Sequence, residues 1–242
     1  MAERFEMLEN NPEVMNHLAY SLGLDKSLSF YDVYSLDDPE LLAFIPRPAL
    51  ALLVIIPLTP SWHAARTAED ADKPDYAGKG EEEPVIWFKQ LETIGHACGS
   101  IGLTHALLNS EASKHIQPGS TLDQVRKDAL PKAMMERAKV LEHSDAFVKA
   151  HADAAKLGDT VAPAFEVETG QHFVAFVKGR DGHLWELEGS RKGPLDRGAL
   201  NEDEDVLSPA ALEKGLGNLI RIEAASGGDL RFSAIALAEN LD

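Results

Sequence analysis

Cysteine is nearly absent. Cys98 is the single one in 242 residues, so no internal disulfide can form, and neither a secreted disulfide scaffold nor a Cys-rich zinc framework is available. Cytosol, or alternatively nucleus, is the expected compartment. Long hydrophobic runs are missing too. The longest, Ala49 to Leu58, is too short for a membrane span and is bracketed by Pro46, Pro48, Pro57 and Pro60, so it reads as a buried strand. Met1-Ala2-Glu3-Arg4 lacks a basic region followed by an apolar one, and no signal peptide is expected. Positive charge is scarce: 23 Lys and Arg stand against 40 Asp and Glu, a formal net charge of −17. That is the wrong sign for binding nucleic acid or anionic membrane, and a charged macromolecular partner should be basic. With Gly 18 and Pro 13 the chain is neither collagen-like nor low-complexity, and 44% apolar with 26% charged residues is ordinary globular usage.

What is present reads as one domain over residues 1–242, without internal repeats. Asn10-Asn11-Pro12-Glu13 opens a helix through Val14, Leu18 and Leu22 that Gly23 stops. Leu28 to Tyr34 alternates as a strand, Asp38-Pro39-Glu40 begins a helical turn, and Ala49 to Pro57 is the buried strand. Thr67 to Glu83 lacks apolar periodicity and reads as a mobile acidic loop. Val85 to Phe88 reads as a short strand and Cys98 to Leu108 as a helix; one or two helices follow within Thr121 to Leu141, and another over Ser144 to Ala155. Leu157 to Gly170 reads as a second long loop. Strands His172 to Lys178 and His183 to Glu188 form a hairpin through Arg180-Asp181-Gly182, and a helix near Pro209 to Leu216 precedes a last strand near Arg231 to Leu237. Helices mixed with a largely antiparallel sheet give an α+β or α-β-α layered fold.

Cys98 stands at the expected start of a helix, where a thiol pKa is lowered and the nucleophilic thiolate favoured. The competing reading is a buried structural cysteine, which behaves as a small hydrophobe. A thiolate needs a base. His105 follows seven residues on, about 10 Å along the same helix and out of reach. His96 precedes the helix and reads most simply as a solvated loop residue. His172 opens an apolar strand, and a turn centred on Arg180 places it directly opposite Glu188, where a carboxylate accepts from an imidazole N–H. An ordinary surface pair is the alternative.

These residues sit within blocks that together resemble the ubiquitin carboxyl-terminal hydrolases, a family of papain-like cysteine proteases that act as deubiquitinases. The blocks are Leu8-Glu9-Asn10-Asn11-Pro12-Glu13-Val14, Pro39-Glu40-Leu41-Leu42, Pro46-Arg47-Pro48, Ala97-Cys98-Gly99-Ser100-Ile101-Gly102-Leu103-Thr104-His105-Ala106, His172-Phe173-Val174-Ala175-Phe176, Leu184-Trp185-Glu186-Leu187-Glu188-Gly189 and Leu230 to Leu237. Their order and spacing cover nearly the whole chain. The resemblance implies an α-β-α sandwich with a knotted backbone and a crossover loop over the active site, placed here around Ala150 to Gly170. It implies Cys98 as nucleophile, His172 as general base and then acid, and Glu188 as the orienter of His172. It further implies hydrolysis after the terminal glycine of ubiquitin or a closely similar modifier, releasing small or disordered adducts, by a monomer without metal or organic cofactor. Ubiquitin's basic face around its tail would complement the −17 charge.

Two positions depart from the family pattern. The orienting acid is usually Asp fifteen residues after the histidine, whereas Leu187 stands there and Glu188 follows. The family's oxyanion-stabilising Gln lies six residues before the cysteine, where this chain has Glu92; Gln90 precedes it, with Leu91-Glu92 as an apparent insertion. A carboxylate has no proton to offer an oxyanion near neutral pH. Either Gln90 reaches the site, or the chain is a ubiquitin-binding protein with impaired hydrolysis. A small-molecule thiol esterase is the third reading.

Overall fold

The run Ala51–Pro57 is apolar at successive positions, so a strand made from it has to be covered on both faces. The computed structural model describes residues 5–158, 170–225 and 227–241, with Glu92 as backbone, and places that run inside a six-stranded antiparallel sheet. The strands are β1 (Leu28–Asp32), β2 (Ala51–Pro57), β3 (Gln171–Lys178), β4 (His183–Leu187), β5 (Leu195–Ala199) and β6 (Ser233–Glu239), in spatial order β1-β6-β2-β3-β4-β5. The helices are α1 (Pro12–Leu22), α2 (Pro39–Leu42), α3 (Pro60–Asp70), α4 (Cys98–Leu108), α5 (Thr121–Ala129), α6 (Met134–Glu142), α7 (Asp145–Ala155), α8 (Pro209–Lys214) and α9 (Leu216–Ala225).

Alternation along the central strands divides the interior into two cores. Ala51, Leu53, Phe173, Ala175, Val177, Ile235 and Leu237 face a cluster shared with α1, α4, α5 and α7. Leu52, Val54, Ile56, Val174, Phe176, Ala236 and Ala238 face the other, built with Trp62 of α3 and with α8 and α9. Helices therefore cover both sides of the sheet, as its two-faced apolar strands require. Local chemistry starts and stops these helices: Asn11 and Thr59 accept from Val14 and Trp62 N–H groups ahead of Pro12 and Pro60, while Gly23, at φ 110°, closes α1 in the left-handed region.

Several expectations are corrected. Thr67 to Asp70 belongs to α3, so the acidic loop is shorter than expected. That helix buries just Trp62 and Asp70 and docks largely through ion pairs, which leaves no apolar stripe in the sequence. Val85 to Phe88 is extended and buried but pairs with no strand among the described residues. Side chains satisfy its backbone instead: Ile86 N donates to Asn109 Oδ1 (2.7 Å), Phe88 N to His105 Nε2 (2.8 Å), and Arg137 to the Trp87 carbonyl. Strand β5 and helix α9 were not anticipated. Of the expected crossover region, Ala150 to Ala155 is the end of α7, and residues 159–169 lie outside the described residues. The β3–β4 register pairs Ala175 with Leu187 and Lys178 with Leu184, which centres the turn on Asp181 rather than Arg180.

Candidate active site

Helix α4 begins at Cys98 with no side-chain cap, and every residue from Gly99 to Leu108 is buried. The first N–H groups of such a helix have no intrahelical partner and carry its positive dipole end, a setting that stabilises a thiolate. Two glycines bring α4 hard against the sheet. A Cβ on Gly102 would stand 2.9 Å from Leu53 Cδ1 and 3.4 Å from Phe173 Cβ, and one on Gly99 would stand 3.2 Å from both Leu8 and Phe173. This close approach sets the Cys98 thiol beside the start of β3, near enough to His172 and the Phe173 backbone for both to lower its pKa.

His172 pairs with Ile56 of β2 in the sheet register and is buried. Its Nε2 lies 2.7 Å from Glu188 Oε1, just past the end of β4. The Nε2 contact is an ion-pair distance without hydrogen-bond alignment: Nε2 has no partner of good geometry, and Oε1 accepts from the Ser190 N–H (2.7 Å) and hydroxyl. Burial opposes charge on all three groups. It pushes the His172 pKa down, but Glu188 and the thiol outweigh it and lift His172 to about 10. Burial pushes Glu188 up, yet the imidazolium, then Arg66 and Ser190, bring it to about 2. Burial likewise raises the Cys98 thiol, and the hydrogen bond and charge of His172 carry it below its ordinary value. The shifts run toward thiolate and imidazolium and away from the neutral pair, with an ionised carboxylate behind the imidazole.

Cys98 and His172 line a cavity of about 360 Å³ together with Gln90, His96, His63, Leu8 and Phe173. Gln90 is fixed at both ends: its backbone N–H donates to the Gly189 carbonyl (2.8 Å) and its side-chain Nε2 to the Gly95 carbonyl (3.1 Å), which leaves a second amide proton available. The Leu91-Glu92 addition enters a single 3-10 turn, Glu92–Ile94, ending at Gly95 with φ 58°. Glu92 is described by its backbone alone.

The remaining histidines separate cleanly. His105 is buried in α4, its pKa pushed to about 3 by desolvation, and it serves the Val85 to Phe88 segment. His96 borders the cavity. Sequence reasoning missed Arg66, Ser190 and Trp62, which surround Glu188 and His172. Ser190 was visible two residues after the acid, but Arg66 lay in a stretch without apolar periodicity. Among the described residues no group of three or more His, Cys, Asp or Glu could hold a metal, and no helix is long and apolar enough to cross a membrane.

Comparison with known proteins gives a consistent result. Residues 5–220 match the family described as "Ubiquitin carboxyl-terminal hydrolase, family 1". The chain is 36% identical over 240 residues to ubiquitin carboxyl-terminal hydrolase 3 of Arabidopsis thaliana, covering 98% of this chain and 95% of that protein. It is 33% identical over 234 residues to ubiquitin carboxyl-terminal hydrolase isozyme L1 of Homo sapiens, covering 96% and 97%. Among solved structures, the catalytic domain of Trichinella spiralis UCH37 bound to ubiquitin vinyl methyl ester superposes with a TM-score of 0.72 at 18% identity, covering 98% of this chain and 95% of that one.

Proposed function

Because this chain belongs to ubiquitin carboxyl-terminal hydrolase family 1, a family of deubiquitinating cysteine-type hydrolases acting at the ubiquitin C-terminus, we propose that Cys98, His172, Glu188 and Gln90 are its catalytic machinery. The observation that carries the assignment is the meeting of Cys98 and His172 at one cavity, with Glu188 Oε1 2.7 Å behind the imidazole.

The Cys98 thiolate attacks the carbonyl of the terminal glycine, and a tetrahedral oxyanion forms beside the N-terminus of α4. The free proton of the Gln90 amide and the first N–H groups of α4 stabilise it. The imidazolium of His172 gives its proton to the departing group, and an acyl-enzyme results. His172, now neutral, takes a proton from water, which attacks the thioester; collapse returns the thiolate and frees the ubiquitin carboxylate. Glu188 keeps the imidazole in place through both transfers. Gln90 stays in the cavity despite the two-residue addition, which supports hydrolysis over ubiquitin binding alone.

Ubiquitin, or a closely similar modifier, is the partner in this reading. A net charge of −17 accelerates encounter with a basic partner face. The papain-like layering with a knotted backbone and the release of small or disordered adducts belong to the same proposal, supported by helices on both faces of the sheet. The test is turnover of a fluorogenic ubiquitin C-terminal substrate. Wild type should release the fluorophore and Cys98→Ala should not; a wild type that fails to turn over, yet captures ubiquitin, would replace the enzyme with a binding protein.

A further inference from the structure

The acid behind His172 is itself held, by helix α3, whose His63 also lines the cavity and whose Trp62 packs near His172. Glu188 Oε1 is occupied by Ser190 and His172, but Oε2 is buried and accepts no hydrogen bond. The guanidinium facing Oε2 is that of Arg66 on α3, with Nε 3.5 Å away. The same guanidinium donates to the Ser190 carbonyl at 2.6 Å and lies 5.0 Å over the Trp62 ring, which in turn is 6.5 Å from the His172 ring. Helix α3 is locked to the segment carrying the acid: Arg191 pairs with Glu69 and Asp70, both at 2.8 Å, and Arg197 of β5 also reaches Glu69. Arg66 is not among the residues lining the catalytic cavity.

We propose that Arg66 is a positioning residue that keeps the Glu188 carboxylate charged and turned toward His172. The inference rests on Glu188 orienting His172. Its force comes from the moment of proton transfer. Burial disfavours the Glu188 anion, and in the resting enzyme the His172 imidazolium is its main compensation. Once His172 hands its proton to the leaving group that compensation vanishes, and of the two cations near the buried carboxylate Arg66 is the one at ion-pair distance, while Lys89 acts from further off, its Nζ held by the Ser190 and Arg191 carbonyls at 2.9 and 2.6 Å. Without it, the buried carboxylate takes a proton from solvent at a higher pH, and once neutral it no longer fixes the orientation of the imidazole.

The experiment compares wild type, Arg66→Ala, Glu188→Ala and the double variant on the fluorogenic ubiquitin substrate, with Arg66→Lys as the charge-retaining control. Arg66→Ala should lower kcat about tenfold, a loss of about 1.4 kcal/mol of transition-state stabilisation, with KM within about twofold because Arg66 does not line the cavity. The acid limb of its kcat/KM profile should move to higher pH, since Arg66 lowers the Glu188 pKa. Arg66→Lys should recover most of the loss, and Arg66→Ala should change nothing further in the Glu188→Ala background. An equal loss in both backgrounds, or an unmoved acid limb, overturns the proposal. If Glu188→Ala alone turns over like wild type, the assignment of Glu188 fails instead, and the two failures are distinct. Should Arg66→Ala not fold, Arg66→Gln takes its place in the same four-way comparison.

Discussion

Glu188 reaches His172 along a diagonal of the β3–β4 hairpin. Continued past Ala175–Leu187, the register puts Glu188 across from Val174, two residues from His172 on the same face. Diagonal neighbours are about 7–8 Å apart rather than the roughly 5 Å of directly opposed residues. A longer acid spans that gap, which accounts for Glu where the family usually has Asp. Glu188→Asp should therefore fall short and behave like Glu188→Ala, each reducing kcat on the order of 10- to 100-fold, less than loss of Cys98 or His172. An aspartate variant with wild-type turnover would show that the diagonal imposes no length requirement.

Cys98→Ser and His172→Ala should each lower turnover of the fluorogenic substrate by roughly 10⁴-fold or more, because nucleophile and base act as one unit and the second loss adds little to the first. Circular dichroism and the unfolding midpoint should stay close to wild type for Cys98→Ser. A His172→Ala enzyme that keeps most of its turnover would reassign the base.

For the oxyanion, Gln90→Ala should reduce kcat by about 10²- to 10³-fold with little change in substrate affinity, the typical effect of removing one donor. Deleting Leu91 and Glu92 should preserve or raise activity, since they supply the turn and not the amide. Silence at Gln90 combined with a gain in Glu92→Gln would move the oxyanion position to residue 92 and make the wild-type chain an impaired hydrolase.

Acid sensitivity should trace to a second buried pair. His151 Nε2 donates to the Glu6 carbonyl at 2.9 Å, so its Nδ1 accepts from the Ser100 hydroxyl at 2.6 Å. Burial lowers its pKa to about 4, against the opposing pull of the Glu6 carbonyl. Its folded pKa is below the unfolded value of about 6.5, so its contribution is complete above that pH and fades as pH falls toward 4. Between pH 7 and pH 5 wild type should lose about 2 kcal/mol more unfolding free energy than His151→Asn, measured by urea titration. Equal losses would remove His151 as the acid-labile contact.

How much of this was legible in the sequence varied with how each element is stabilised. Helix α4 matches its expected span, and α1, β2, β3 and β4 closely follow theirs, because each is punctuated by its own turn and cap residues or carries dense apolar burial. Helix α3 was hidden because charge, not an apolar stripe, docks it. Strand β5 was hidden because it is an edge strand with Leu195 as its one buried apolar position. The expected strand at Val85 to Phe88 has strand-like composition but takes its hydrogen bonds from Asn109, His105 and Arg137, residues too distant in sequence to read as partners. The pairing of His172 with Glu188 was anticipated with the wrong turn centre. A change that moves the partner by two residues preserves which face each side chain occupies.

The position of β6 has a bearing on synthesis. It sits between β1 and β2, which do not pair with each other, so 200 residues separate the end of the first strand from the start of the one that fills its gap. A nascent chain has to hold β1 and a strongly apolar β2 apart, with open edges on both, until Ser233–Glu239 has left the ribosome. Activity cannot appear in step with translation, and a ribosome stalled before residue 233 carries a chain suited to chaperones rather than to substrate.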